Sequence, residues 1–79
     1  MRVREGIIGI PKDGGYAACK YRLEQDEKPS RYGIEDGRIS QLELRIDDQL
    51  VCHFNRTWEL VPDDPGIEMA LAILIKEHN

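Results

Sequence analysis

No stretch of this chain approaches the roughly 20 apolar residues that a membrane-crossing helix needs. Its first residues also lack the apolar heart of a signal peptide, because Arg2, Arg4, Glu5, Gly6 and Gly9 interrupt it. The expected compartment is therefore the cytoplasm. Cysteine is scarce: Cys19 and Cys52 are too few for a disulfide scaffold. Both fall on the apolar side of alternating segments and read as small buried thiols. With one strand between them they would stand roughly 10 Å apart, too far to bridge. Neither Cys-x-x-Cys nor His-x-x-x-His spacing occurs, and the adjacent Cys52 and His53 point to opposite faces of a strand, so neither a metal site nor a cofactor is expected. Positive charge is in deficit, with 11 Lys and Arg against 15 Asp and Glu, a net charge of −4. That disfavours a protein whose main task is neutralising phosphates.

What the chain does have is enough for one small core. Its 79 residues, 41% hydrophobic and 33% charged, fit a single globular domain spanning residues 1–79. A core of this size yields only a few kcal/mol net, so oligomerisation is a natural source of further stability. The organising stretch is Gly37 to Leu60, read as one long β-hairpin. Ser40, Leu42, Leu44 and Ile46 alternate with Gln41, Glu43 and Arg45; Leu50, Cys52 and Phe54 alternate with Val51, His53 and Asn55. A three-residue loop, Asp47-Asp48-Gln49, sets Ile46 opposite Leu50, Leu44 opposite Cys52 and Leu42 opposite Phe54, so that apolar meets apolar. Such a loop asks for a left-handed residue at Gln49, which predicts that Gln49→Gly stabilises the fold.

Before the hairpin, residues 2–10 predict an edge strand weakened by Gly6, Gly9 and Pro11. Lys12-Asp13-Gly14-Gly15 is a turn. Tyr16 to Glu24 predicts a second strand, with Ala17, Cys19, Tyr21 and Leu23 inward. Residues 25–36 form a long loop whose Tyr32 and Ile34 are expected to plug the end of the core, with a binding loop as the sharper alternative. After the hairpin, Glu59 to Pro62 leaves the sheet. Asp64 as N-cap and Pro65 at the first position start a helix over 65–77. Ile67, Ala70, Leu71, Leu74 and Ile75 form its core arc, while Met69 and Ile73 lie well off that arc. They fit either a curved sheet wrapping the helix or a second interface with another copy. The fold class expected is α+β: an antiparallel meander of three to four strands with a C-terminal helix across one face.

Three constellations could carry function. Glu43 faces His53 in the register above, the raw material of general base catalysis but also an ordinary cross-strand pair; no pocket or nucleophile accompanies it, and the chain is read as non-enzymatic. Tyr16, Lys20, Arg22, Arg45 and His53 could make a basic face for nucleic acid, with one exposed aromatic where two or three are usual and with Gln41 and Glu43 interrupting it. Strand-strand-strand-helix order resembles the later part of double-stranded-RNA-binding domains, but Asp63-Asp64 stands where those have a basic helix start. The third constellation is a corner of Arg38, Arg56 and Trp58. The hairpin register brings Arg38 near Trp58, either covering the end of the core or, with Tyr32 of the long loop, making a recognition corner.

The run Tyr32-Gly33-Ile34-Glu35-Asp36-Gly37-Arg38-Ile39-Ser40-Gln41-Leu42, with Asn55-Arg56-Thr57-Trp58 beyond it, resembles a family of small uncharacterised domains of Gram-positive bacteria and their phages or mobile elements. That family often has Asp-Gly at the hairpin turn, where this chain has Asp48-Gln49. The resemblance implies no activity and assigns no catalytic residue. Together these readings predict an interaction module that pairs with itself, using Met69, Ile73, Tyr32, Arg38, Arg56 and Trp58. The alternative is a nucleic-acid accessory protein using the open sheet face.

Overall fold

Left-handed residues occur in all four links between strands, and in three of them they make the reversal itself. A computed structural model describes all 79 residues. Strands β1 (Arg2–Lys12) and β2 (Gly15–Gln25) are joined by Asp13 and Gly14, both at positive φ. That is the backbone a two-residue hairpin requires, and Asp-Gly is a preferred pair for it. Strands β3 (Ile39–Ile46) and β4 (Gln49–Asn55) are joined in the same way by Asp47 (φ 51°) and Asp48 (φ 64°). Arg56, φ 61°, then reverses the chain into a short β5 (Trp58–Leu60). The result is one antiparallel meander of five strands in sequence order, followed by helix α1 (Pro65–His78).

The meander with a C-terminal helix is as the sequence implies; the strand number is not. Five strands form because Trp58 pairs back with Phe54, and His53 with Leu60, where the unbroken hairpin arm sends this segment out of the sheet. The hairpin register holds at Leu42 opposite Phe54 and Leu44 opposite Cys52. It then slips by one, because the turn takes two residues rather than three: Arg45 faces Leu50 and Ile46 faces Gln49. This bulge exchanges two side chains. Val51 packs on the core, whereas Leu50 sits opposite the outward Arg45. A second bulge, where Gln25 pairs with Ile39 rather than Ser40, carries Ile39 into the core.

The core lies between the sheet and α1. Leu23, Leu42, Leu44, Cys19 and Cys52 come from the strands, Ile67, Ala70 and Leu74 from the helix, and Ile34 from the long loop. Asp64 caps the helix, its carboxylate accepting from Gly66 N–H at 2.7 Å. The helix lies over β1, β2 and β3. Gly66 touches Pro11 and Ile10 at one end, and the His78 carbonyl accepts from the Gln25 side chain (2.6 Å) at the other. It therefore runs antiparallel to β1. Tyr21 lies across Gly6 of β1, filling the space a side chain would take there. No helix is long and apolar enough to cross a membrane.

Candidate interaction surfaces

The face of the sheet away from the helix carries Tyr16, Lys20, Arg22, Arg45 and His53, as alternation requires. The same alternation places carboxylates among them. Arg22 lies 3.8 Å from Glu5 and 3.5 Å from Glu24; Arg45 lies 3.0 Å from Glu43; His53 Nδ1 lies 3.1 Å from Glu59. Glu43 does face His53, but its carboxylate goes to Arg45 and the imidazole takes Glu59 from β5. Lys20, Arg22 and Arg45 thus share the face with four acids, and its field is balanced rather than basic. Tyr16, 83% exposed, stands apart at the turn end.

The corner of Arg38, Arg56 and Trp58 is not assembled. Arg38 donates from Nε to the Asp26 carbonyl (3.0 Å). Trp58 turns its ring edge-on to Phe54 at 5.0 Å, which lies opposite Leu42, four residues along β3 from Arg38. The Arg56 side chain is exposed, and its backbone N–H donates to the Ser40 carbonyl at 3.1 Å. The one arginine stacked on an aromatic is Arg31, over Tyr32 at 5.1 Å. Ile34 plugs the core end as expected, but Tyr32 remains half exposed.

Sequence reasoning missed what ties this end together. The Asn79 side chain accepts from Arg38 N–H (2.9 Å) and Ile39 N–H (3.0 Å) and donates to the Ile34 carbonyl (2.8 Å). A Cβ on Gly37 would overlap Asn79, and one on Gly33 would overlap the Gly37 carbonyl. The paired glycines in the loop were the available signal. An open polar cleft of about 370 Å³ lies nearby, lined by Met1, Arg2, Gln25, Asp26, Glu27 and Arg38. No three His, Cys, Asp or Glu side chains converge as metal ligands would.

The cysteines are buried and unpaired. Burial raises the Cys19 thiol; burial first, and Cys19 second, push Cys52 up to about 11. Both are poor nucleophiles as they stand.

Of the predicted helix residues, Met69 is 41% exposed and Ile73 is half-buried without packing on the core. Their side of the molecule follows from the helix ends. Asn79 meets the start of β3, and Leu71 and Ile75 share a depression with Glu35 on that flank. At 100° per residue Ile73 lies on the opposite flank, toward β1, while Met69 points largely away from the sheet. On the far face of β1, Ile7 (63%) and Val3 (47%) are exposed.

The chain belongs to the DUF7678 family, a domain of unknown function, whose model matches residues 2–79. No curated protein and no solved structure matches this DUF7678 chain.

Proposed function

We propose that this DUF7678 domain is a non-enzymatic cytoplasmic interaction module whose partner is a second copy of itself. One observation carries the reading: apolar side chains left outside the core include Met69 and Ile73 on the helix and Val3 and Ile7 along the long open edge of β1, besides Trp58, Leu60 and Val61 at the short β5 edge. Apolar surface beside an open strand edge suits a contact with a second copy. Light scattering at high micromolar concentration tests this. A dimer is expected, and the Met69→Glu/Ile73→Glu variant should shift it toward monomer; a wild-type monomer sinks the reading.

The nucleic-acid reading has less support, because the four acids that share the open face would meet phosphate. Retention on heparin at low salt, lost in Lys20→Glu/Arg22→Glu, would reverse that preference. We also infer, from the resemblance of the Gly37-Arg38-Ile39-Ser40 stretch, a setting in Gram-positive bacteria or their mobile elements. The genes beside this one are the direct check.

A further inference from the structure

We propose that two copies join edge to edge along β1, antiparallel, about a two-fold axis at Ile7, forming one ten-stranded sheet with both helices on the same face. This rests on the self-association reading above and gives it a geometry.

The two edges of the sheet differ. One is β5, three residues long; the other is β1, eleven residues long, with no proline before Pro11. A long bare edge is a template for another strand unless it is blocked. The phase of the ladder says which groups are free. Lys12 and Gly15 flank a two-residue turn and so form a hydrogen-bonded pair, and pairs alternate from there. Val3, Glu5, Ile7 and Gly9 therefore aim their N–H and C=O outward. Pro11 belongs to the same set, so its missing N–H faces away from β2. An axis at Ile7 sets Ile7 against the partner's Ile7, Glu5 against the partner's Gly9, and Val3 against the partner's Pro11. Every free group then meets a free group, apart from the proline nitrogen at each end.

The helix supplies the second half of the contact. It starts beside Pro11 and runs antiparallel to β1. At about 1.5 Å per helical residue against about 3.3 Å per strand residue, it reaches the level of Ile7 near Ile73. Ile73 lies on the flank of the helix toward that edge. The axis therefore passes Ile7 on one face and Ile73 on the other. With each helix set between half a strand spacing and one spacing inside β1, the helix axes stand about 10–14 Å apart. Packed helices stand about 8–10 Å apart, so a large side chain such as Ile73 is needed to close the gap. Residues opposite one another in an antiparallel pair point to the same face, so this pairing puts both helices on one face of the joined sheet. A second copy explains both exposed patches by one symmetry operation, as an isologous contact must.

This pairing sets Arg2 opposite the partner's Lys12. Raising salt should therefore tighten the dimer, the reverse of association by charge attraction.

Amide hydrogen exchange of the wild-type chain, followed by NMR as concentration rises, is the test. The amides of Val3, Glu5, Ile7 and Gly9 should gain protection with dimerisation, while those of Arg4, Gly6 and Ile8, already bonded to β2, change little. Ile7→Lys and Ile73→Glu should each weaken the dimer at least about tenfold. A monomer at high micromolar concentration overturns self-association and this geometry together. A dimer whose four odd-numbered amides exchange as in the monomer, or which loosens as salt rises, overturns the β1 pairing and leaves self-association standing.

Discussion

Asp47 and Asp48 hold one of the two two-residue turns of the sheet in a backbone that suits neither fully. Left-handed φ costs an ordinary residue about 1 kcal/mol, less for Asp, and here two carboxylates stand side by side. Asn-Gly is the sequence this turn favours. Asp47→Asn/Asp48→Gly should add about 1–2 kcal/mol, read as a rise of several degrees in Tm. Gln49→Gly, which alternation alone recommends, should instead cost about 0.5–1 kcal/mol, because Gln49 is a strand residue paired with Ile46. Asn79 works in the other direction. Asn79→Ala leaves the N–H groups of Arg38 and Ile39 and the carbonyl of Ile34 without their partner. Urea unfolding should show a loss of about 2 kcal/mol.

Elements with a strong period were readable in the residues. The helix came within a residue of its bounds, since Asp64, Pro65 and the apolar arc all agree. The first two strands came within two residues of their bounds, since Asp13-Gly14 can do little but turn. What escaped reading has a common physical cause: a single residue, left-handed at Arg56 or unmatched at each bulge, changes the pairing of everything beyond it. Arg56 at positive φ creates β5 from a segment whose composition suggests an exit. The bulge after Leu44 trades Leu50 for Val51, and the one before Gln41 admits Ile39 to the core. None of these leaves a glycine to mark it. Of the surfaces, Met69 and Ile73 were visible as a departure from the helical arc, whereas the Arg38–Trp58 corner depended on the unbroken arm and went with it. The loop closing the core could be suspected only from Gly33 and Gly37. Gly33→Ala should cost about 1–3 kcal/mol, because the obstacle is the Gly37 backbone, which cannot swing aside as a side chain can. Denaturant unfolding measures it, and Gly9→Ala, where a Cβ meets nothing within 4 Å, serves as the control.

For the whole molecule, both ends of α1 are fastened to the sheet, the first turn at Pro11 and the last at Gln25 and Ile39. One core joins helix, sheet and loop, so the chain should unfold as a unit. The two thiols inside that core couple its stability to alkaline pH. Cys52 ionises near 9 when unfolded and near 11 when folded, because burial opposes the thiolate and Cys19 opposes it further. Below the lower value both states hold the proton and stability is complete. Between the two values the unfolded chain releases its proton first, which favours unfolding. Stability should therefore fall as pH rises from about 9 toward 11, by about 1–3 kcal/mol. Cys52→Ala should be less stable at neutral pH, through the space it leaves, yet show a shallower alkaline decline. Thiol labelling provides the independent reading. If the core opens only as a whole, Cys52 should react at a rate set by global unfolding and slow with every stabilising change, the Asp47→Asn/Asp48→Gly turn included. Labelling that ignores the turn variant would mean that β4 opens without the rest.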